Sequence, residues 1–147
     1  MSVSSLDQSI SEAWRDLGFY YEFNETDSQW QFVGSKEGLA QFVRLLRDYA
    51  ADPQNSKIYE HEHFGPYWYL KVMTFTKPDI SESAIVGDPS DIARLANLFE
   101  RKLLETPEDM SFTIREEYCP GCSSAICVKI EKSGFDPATA DLLLQIH

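Results

Sequence analysis

Two segments of this chain, 53 residues apart, repeat the same pattern. Val33-Gly34-Ser35 recurs as Val86-Gly87-Asp88. The apolar positions that follow in the first copy, Leu39, Phe42, Leu45 and Leu46, recur as Ile92, Leu95, Leu98 and Phe99. Each copy predicts the end of a strand, a glycine, a small polar N-cap and then a helix with one apolar face. The chain is therefore predicted to contain two diverged copies of one strand-helix-strand-strand unit.

Helix starts and stops have clear local signals. Asp88 is a good N-cap, Pro89 fits the first helical position, and Asp91 lies in the first turn, where the helix dipole favours a carboxylate. A further helix is predicted ahead of the repeats. Residues 6–17 carry an apolar stripe at helical spacing, and Gly18 is a natural C-terminal stop.

Each repeat helix is followed by a polar break and a predicted β-hairpin. The hairpin strands are predicted at residues 57–63 and 70–76 in the first copy, and at 111–117 and 125–131 in the second. Strands at 19–23 and 29–33 precede the first repeat helix, and a short helix is predicted at 138–146. Together these elements predict an α+β fold. Its largely antiparallel sheet comes from two tandem β-α-β-β repeats, with the helices packed mainly on one face and an extra N-terminal helix.

At 147 residues the chain has the size of a single domain. The predicted division is an N-terminal helix at 1–18, a first repeat at 19–76, a second repeat at 83–131 and a C-terminal tail at 132–147. The hydrophobic fraction is 43%, with 3 Trp, 7 Tyr and 9 Phe, which is enough for a core that folds alone.

The formal net charge of −11 limits the classes of partner. Such a surface repels the phosphates of nucleic acids and anionic lipids, so neither nucleic acid nor membrane is an expected partner, whereas a basic protein is attracted. Residues 1–10 lack the regions of a signal peptide, and no run of 18 apolar residues occurs. The three cysteines do not resemble the disulfide framework of a secreted domain. We therefore expect a cytoplasmic protein.

The repeat also predicts which face of the sheet each strand residue occupies, because strand side chains alternate. Phe112 and Ile114 should face the helices, and at an offset of 53 so should Tyr59 and His61. Glu60 and Glu62 should then point the other way. On the return strand, Leu70 and Val72 are expected inside, which leaves an outer set of Tyr67, Tyr69, Lys71, Met73 and Phe75.

This outer face is predicted to be aromatic and rimmed by carboxylates, which suits a protein-binding surface. The predicted partner-binding residues are Glu60, Glu62, Tyr67, Tyr69, Met73, Phe75 and Glu117. The alternative is that the N-terminal helix or a second subunit covers this face. In the latter case the chain would be a self-associating domain that forms a homodimer.

Two pairs of potential metal ligands occur in equivalent hairpins. Cys119 and Cys122 have CxxC spacing, and His61 and His63 share one face of a strand, so the four are candidate zinc ligands. The competing interpretation is two turn cysteines and an ordinary packed histidine pair. The sequence contains no GxSxG, HExxH, P-loop or GxGxxG motif. We expect a non-enzymatic protein without a cofactor, with a metal- or small-ligand-binding domain as the alternative.

Several short motifs resemble those of the bacterial Immunity protein 32 family. They are Gly65-Pro66-Tyr67, Tyr69 to Thr74, Ile85-Val86-Gly87, Asp91 to Ala96, Ile114 to Tyr118 and Gly134 to Ala138. The resemblance covers roughly residues 60–141, and the Cys119-Pro120-Gly121-Cys122 turn departs from it. It implies a bacterial cytosolic protein of a polymorphic toxin system, which binds and neutralises a cognate protein toxin rather than catalysing a reaction.

Overall fold

The computed structural model describes residues 5–145, which contain three α-helices. Helix α1 spans Ser5–Leu17, α2 spans Lys36–Ala51 and α3 spans Pro89–Glu105. The predicted caps are confirmed. Ser35 accepts a hydrogen bond from Gly38 N, and Asp88 and Asp91 form a capping box at the start of α3. Gly18 follows α1 with φ +96° and donates its N–H to the Trp14 carbonyl.

Over the same described residues, eight strands form four hairpins. Their bounds are β1 Tyr20–Asn24, β2 Gln29–Ser35, β3 His61–Phe64, β4 Leu70–Thr74, β5 Asp79–Ile80, β6 Ile85–Gly87, β7 Ser111–Ile114 and β8 Ala125–Glu131. Each copy therefore has the order β-β-α-β-β, because the two-residue strand β5 adds a hairpin partner that the sequence pattern does not predict.

The two copies exchange hairpins to build two four-stranded sheets. The first sheet has the order β1-β2-β8-β7 and the second β3-β4-β6-β5. In each sheet the central pair, β2 with β8 or β4 with β6, is parallel, and the flanking pairs are antiparallel. The α+β class is confirmed, with mostly antiparallel pairing divided between two mixed sheets.

One core joins both sheets to the helices. Phe42 of α2 lies 4.9 Å from Phe32 of β2 and 5.1 Å from Phe99 of α3, measured between ring centroids. Leu70 and Val72 of β4 are fully buried in the same cluster, as the alternation predicts. Because each sheet holds hairpins from both copies, neither copy can bury its apolar face without the other.

The predicted faces of the first hairpin strand are wrong. Glu62 pairs with Val72 and Phe64 with Leu70 on the core side, so His61 and His63 lie on the outer side. Phe64 matches Ile114 of the second copy at an offset of 50 rather than 53. The difference of three residues is odd, and an odd shift moves every strand side chain to the other face.

Residues around β3 also differ from the prediction. Tyr59 precedes the strand with φ 72° and is 63% exposed instead of facing the helices. At the C-terminus, two 3₁₀ turns at Pro137–Ala140 and Leu142–Gln145 replace the predicted helix. The end of that prediction, Ile146, lies outside the described residues.

Candidate functional site: an aromatic cleft with an acidic rim

A cleft of about 700 Å³ lies where five separate parts of the chain meet. The end of α1, strands β1 and β2, the β3–β4 connection and the C-terminal 3₁₀ turn all contribute to its wall, together with the β5–β6 connection. Its size is that of a ligand site. All three tryptophans of the chain line it.

Buried aromatic side chains form the floor of the cleft. Trp14, Tyr21 and Trp30 are each at most 2% exposed. Trp14 packs against Tyr21 at 5.1 Å between ring centroids, and Trp30 donates its indole N–H to the Ser81 carbonyl at 2.8 Å. Because Gly18 ends α1 at a close contact with α2, Trp14 is held directly over β1. Burial and these contacts therefore fix the positions of the floor side chains.

Asp141 is a carboxylate buried in this aromatic wall, at 3% exposure. It accepts hydrogen bonds from Trp14 Nε1 at 2.9 Å, from Tyr67 OH at 2.6 Å and from the Leu143 backbone N–H at 3.0 Å. All three donors are neutral. Within residues 5–145 no lysine or arginine forms an ion pair with Asp141, so none of the described cationic side chains compensates this carboxylate.

The tyrosines beside Asp141 stay protonated. Burial raises the pKa of Tyr67 above its ordinary value, and the hydrogen bond to Asp141 raises it further. Burial also raises the pKa of Tyr20, with the nearby Glu22 carboxylate as the next cause. Both hydroxyls therefore remain neutral donors at physiological pH, and the charge at this wall comes from the carboxylates.

The rim of the cleft exposes large apolar side chains. Trp68 and Tyr69 are each 69% exposed, and Leu142 and Leu143, which also line the cleft, are 70% and 61% exposed. Trp68 has φ 60°, a conformation that a bulky residue rarely adopts and that recurs at binding sites. His63 stabilises it by donating Nδ1–H to the Trp68 carbonyl at 2.9 Å and stacking on the indole.

Carboxylates complete the rim. Glu22, Glu25 and Glu82 are exposed residues of the cleft wall, and Asp141 is the fourth acidic member. No lysine, arginine or histidine occurs among the described residues that line the cleft. Aromatic faces and uncompensated carboxylates in one concavity attract cations and repel anions.

The predicted partner-binding residues fall in different places. Tyr67 and Tyr69 belong to the cleft, where their rings stack at 5.6 Å. Met73 and Phe75 line a second groove of about 530 Å³ on the outer face of the β3–β6 sheet. Tyr59 closes this outer groove by stacking on Phe75.

The three glutamates of the predicted site also lie at different places in the structure. Glu62 is exposed on the edge strand β3, and Glu60 is half-buried with its carboxylate accepting from Gln54 Nε2 at 3.2 Å. Glu117 lies after β7, beside α3, where it pairs with Lys102. Tyr59, Trp68 and Tyr69 are exposed, whereas Tyr67 is half-buried beside Trp14 of α1. Elsewhere α1 packs against α2 and the C-terminal turn.

Glu117 makes the acid stability of the protein testable. The Lys102 ammonium holds the pKa of Glu117 at about 2, well below its ordinary 4.5. Because the pKa of Glu117 is lower in the folded than in the unfolded state, its ionised carboxylate stabilises the fold above pH 4.5. This stabilisation is lost as the pH falls towards 2. Glu117→Gln should therefore cost at most about 1 kcal/mol at pH 7, since the pair is partly exposed, and less than half of that at pH 3. Urea unfolding at the two pH values measures the difference.

The control is Glu116→Gln, which makes the same change of net charge at a neighbouring carboxylate 4.0 Å from Arg115. An unchanged deficit of Glu117→Gln at pH 7 and pH 3 would show that the Lys102 pair does not set the pKa.

The candidate metal ligands do not form one site. Cys119 and Cys122 are buried and joined as a disulfide, with Asp79 beside them. Within the described chain, these three residues form the one group of three or more potential ligands whose ligand atoms all lie within 4.8 Å of one another. His61 and His63 are exposed on β3 and do not belong to this group of potential ligands. Both Asp79 oxygens already accept hydrogen bonds from Ser123.

Sequence reasoning missed most of the cleft. Trp14 is predicted only as part of a buried helix stripe, and neither Trp30, Glu82 nor Asp141 has a local pattern that marks it. The lining residues lie between positions 14 and 143, so their proximity is a tertiary property.

Comparison with known protein families, characterised proteins and solved structures finds no match to this chain. The resemblance to the Immunity protein 32 family thus stays a prediction. No helix within residues 5–145 has both the length and the apolar character that crossing a membrane requires.

Proposed function

We propose that this chain is a non-enzymatic, cytoplasmic binding protein of immunity type, which neutralises a basic toxin domain by holding part of it in the aromatic cleft. The observation that carries the proposal is the cleft itself. It combines eight aromatic side chains with four carboxylates, and no cationic side chain among the described residues stands in its wall. Aromatic anchors supply buried area at interfaces, and complementary charge supplies fast and selective capture.

Charge favours a basic partner over a second copy of the chain. A symmetric dimer through this rim would place the same surface of both copies together. Glu22, Glu25 and Glu82 of one copy would then face the same carboxylates of the other, and like charges brought together cost several kcal/mol. The net charge of −11 extends the same preference over longer distances.

The proposal predicts that a gene adjacent to the one for this chain encodes a toxin domain, and the absence of such a gene would count against it. Affinity for that domain is measured by biolayer interferometry, and protection is measured by growth on co-expression. Trp68→Ala and Tyr69→Ser should each weaken binding by about 30-fold or more, the effect of losing a hot-spot aromatic. Both residues are 69% exposed, so the fold should be retained. The association rate should fall as salt is raised.

Two controls separate this cleft from other surfaces. Leu104→Ala removes an exposed apolar side chain on α3, outside the cleft, and should leave affinity unchanged. Tyr59→Ser and Phe75→Ser alter the outer groove. If these two weaken binding and the Trp68 and Tyr69 variants do not, the cleft assignment is wrong. A dimer by light scattering that dissociates on Trp68→Ala would instead favour self-association.

A further inference from the structure

We infer that the cleft is a receptor for one guanidinium group, the side chain of an arginine presented by the partner. The inference rests on the proposed function for the source of that arginine. The site itself follows from the contacts of Asp141 and from the aromatic faces around it.

The first step is the charge of Asp141. Asp141 is 3% exposed, and among the described residues its hydrogen-bond donors are all neutral, so its carboxylate loses hydration without gaining a counter-ion from them. The hydrogen bonds from Trp14 and Tyr67 also hold the Asp141 carboxylate in the wall of the open cleft. A cation entering the cleft would neutralise this charge where the surroundings are apolar and screening by salt is weak.

The second step is the aromatic surroundings. Trp14 lies 4.8 Å from Tyr20 and 6.0 Å from Tyr67 between ring centroids, and Tyr67 stacks on Tyr69. These rings extend from the buried Trp14 to the exposed Tyr69. Aromatic faces attract a cation that lies within about 6 Å of the ring. The cleft therefore offers aromatic surface and the Asp141 carboxylate in one place.

The third step selects guanidinium over ammonium. Asp141 already accepts three hydrogen bonds, which leaves little of its acceptor capacity, so the incoming group is held mainly by stacking and by charge. Guanidinium is planar and weakly hydrated, and it stacks on aromatic rings, whereas an ammonium is compact and strongly hydrated. Transfer from water into an aromatic cleft therefore costs arginine less than lysine.

The experiment compares two peptides with the full chain, acetyl-Gly-Arg-Gly-amide and its uncharged counterpart in which citrulline replaces arginine. Tryptophan fluorescence reports binding, because all three tryptophans line the cleft, and calorimetry gives the affinity. The arginine peptide should bind at least about tenfold more tightly than the citrulline peptide, and more tightly than a lysine peptide. Equal binding of arginine and citrulline, or no binding of either, would overturn the inference.

Matched variants test the carboxylates. The rim triple variant Glu22→Gln, Glu25→Gln and Glu82→Gln should weaken arginine-peptide binding by about fivefold or more. A remote triple variant, Glu37→Gln, Asp48→Asn and Glu105→Gln, makes the same change of net charge at exposed positions outside the cleft and should change nothing. Equal losses of arginine-peptide affinity in the rim and remote triple variants would mean that only the overall charge matters. That result would contradict a defined site.

Asp141→Asn keeps an oxygen acceptor for Trp14 and Tyr67 while removing the charge, and should lose at least tenfold in arginine affinity. If this variant unfolds, the rim triple variant still decides the question. Selective arginine binding without capture of the toxin would refute the proposed function and leave the arginine site standing. Toxin capture through Trp68 and Tyr69 without arginine selectivity would refute the arginine site and support the proposed function.

Discussion

Gly38→Ala should destabilise the protein by about 3 kcal/mol, although the same change inside a helix ordinarily stabilises it by up to about 1 kcal/mol. Gly38 lies in the first turn of α2, and a Cβ there would stand 1.9 Å from the Gly18 carbonyl oxygen and 3.0 Å from the Gly18 carbonyl carbon. Both obstacles are backbone atoms, so α1 and α2 must move apart. Urea unfolding of the variant measures the loss.

The same substitution should disturb the cleft. The Gly18 N–H caps α1 by donating to the Trp14 carbonyl, so a displaced Gly18 carries Trp14 away from Asp141. Tryptophan fluorescence and near-UV circular dichroism should therefore change in the folded state. Glu37→Ala is the control, because it places alanine at the exposed neighbouring position and adds no atom near Gly18. A Gly38→Ala protein as stable as the wild type would contradict the close contact between the helices.

Phe42→Ala should lower the free energy of unfolding by about 3–5 kcal/mol, a large part of the stability of an ordinary domain. Phe42 is fully buried, with ring centroids 5.6 Å from Phe19, 4.9 Å from Phe32 and 5.1 Å from Phe99. Removing the ring leaves a cavity that neighbours from α2, α3 and the first sheet cannot all collapse to fill. Phe42→Leu removes fewer carbon atoms and leaves a smaller cavity, so it should cost less than Phe42→Ala, about 1–2 kcal/mol.

The shape of the Phe42→Ala transition tests the single core. Because each sheet contains hairpins from both copies, the two sheets should unfold together in one transition, with fluorescence and circular dichroism midpoints that coincide. Separate transitions for the two sheets would show that they unfold as independent units. They would contradict the conclusion that one core joins both sheets.

The helices and most strands could be predicted because their signals are local. The N-cap of α3 at Asp88, the proline after it and the stop at Gly18 act within one turn of the helix, and the structure confirms all three. Strands β4 and β8 begin where their alternating patterns begin, at Leu70 and Ala125. The short strand β5 was missed because two residues are too few to form a period.

The candidate site was predicted only in part. Tyr67 and Tyr69 lie in the cleft, while Met73 and Phe75 line a separate groove and Glu117 pairs with Lys102 near α3. Tyr67 and Tyr69 flank Trp68, whose φ is positive, and their rings stack in the cleft. Met73 and Phe75 lie further along the chain, and alternation along one strand could not show that they line a different surface.

The sequence by itself determined the repeat, the helices with their caps, the hairpins and the acidic charge, since each depends on neighbours along the chain. Tertiary structure alone decided that the copies exchange hairpins, that His61 lies outside, and that Trp14, Tyr67 and Asp141 meet in one cleft. Pairing between distant strands depends on connection lengths and on burial of the whole core, and an odd change of three residues is enough to reverse a face. No window of neighbouring residues contains that information.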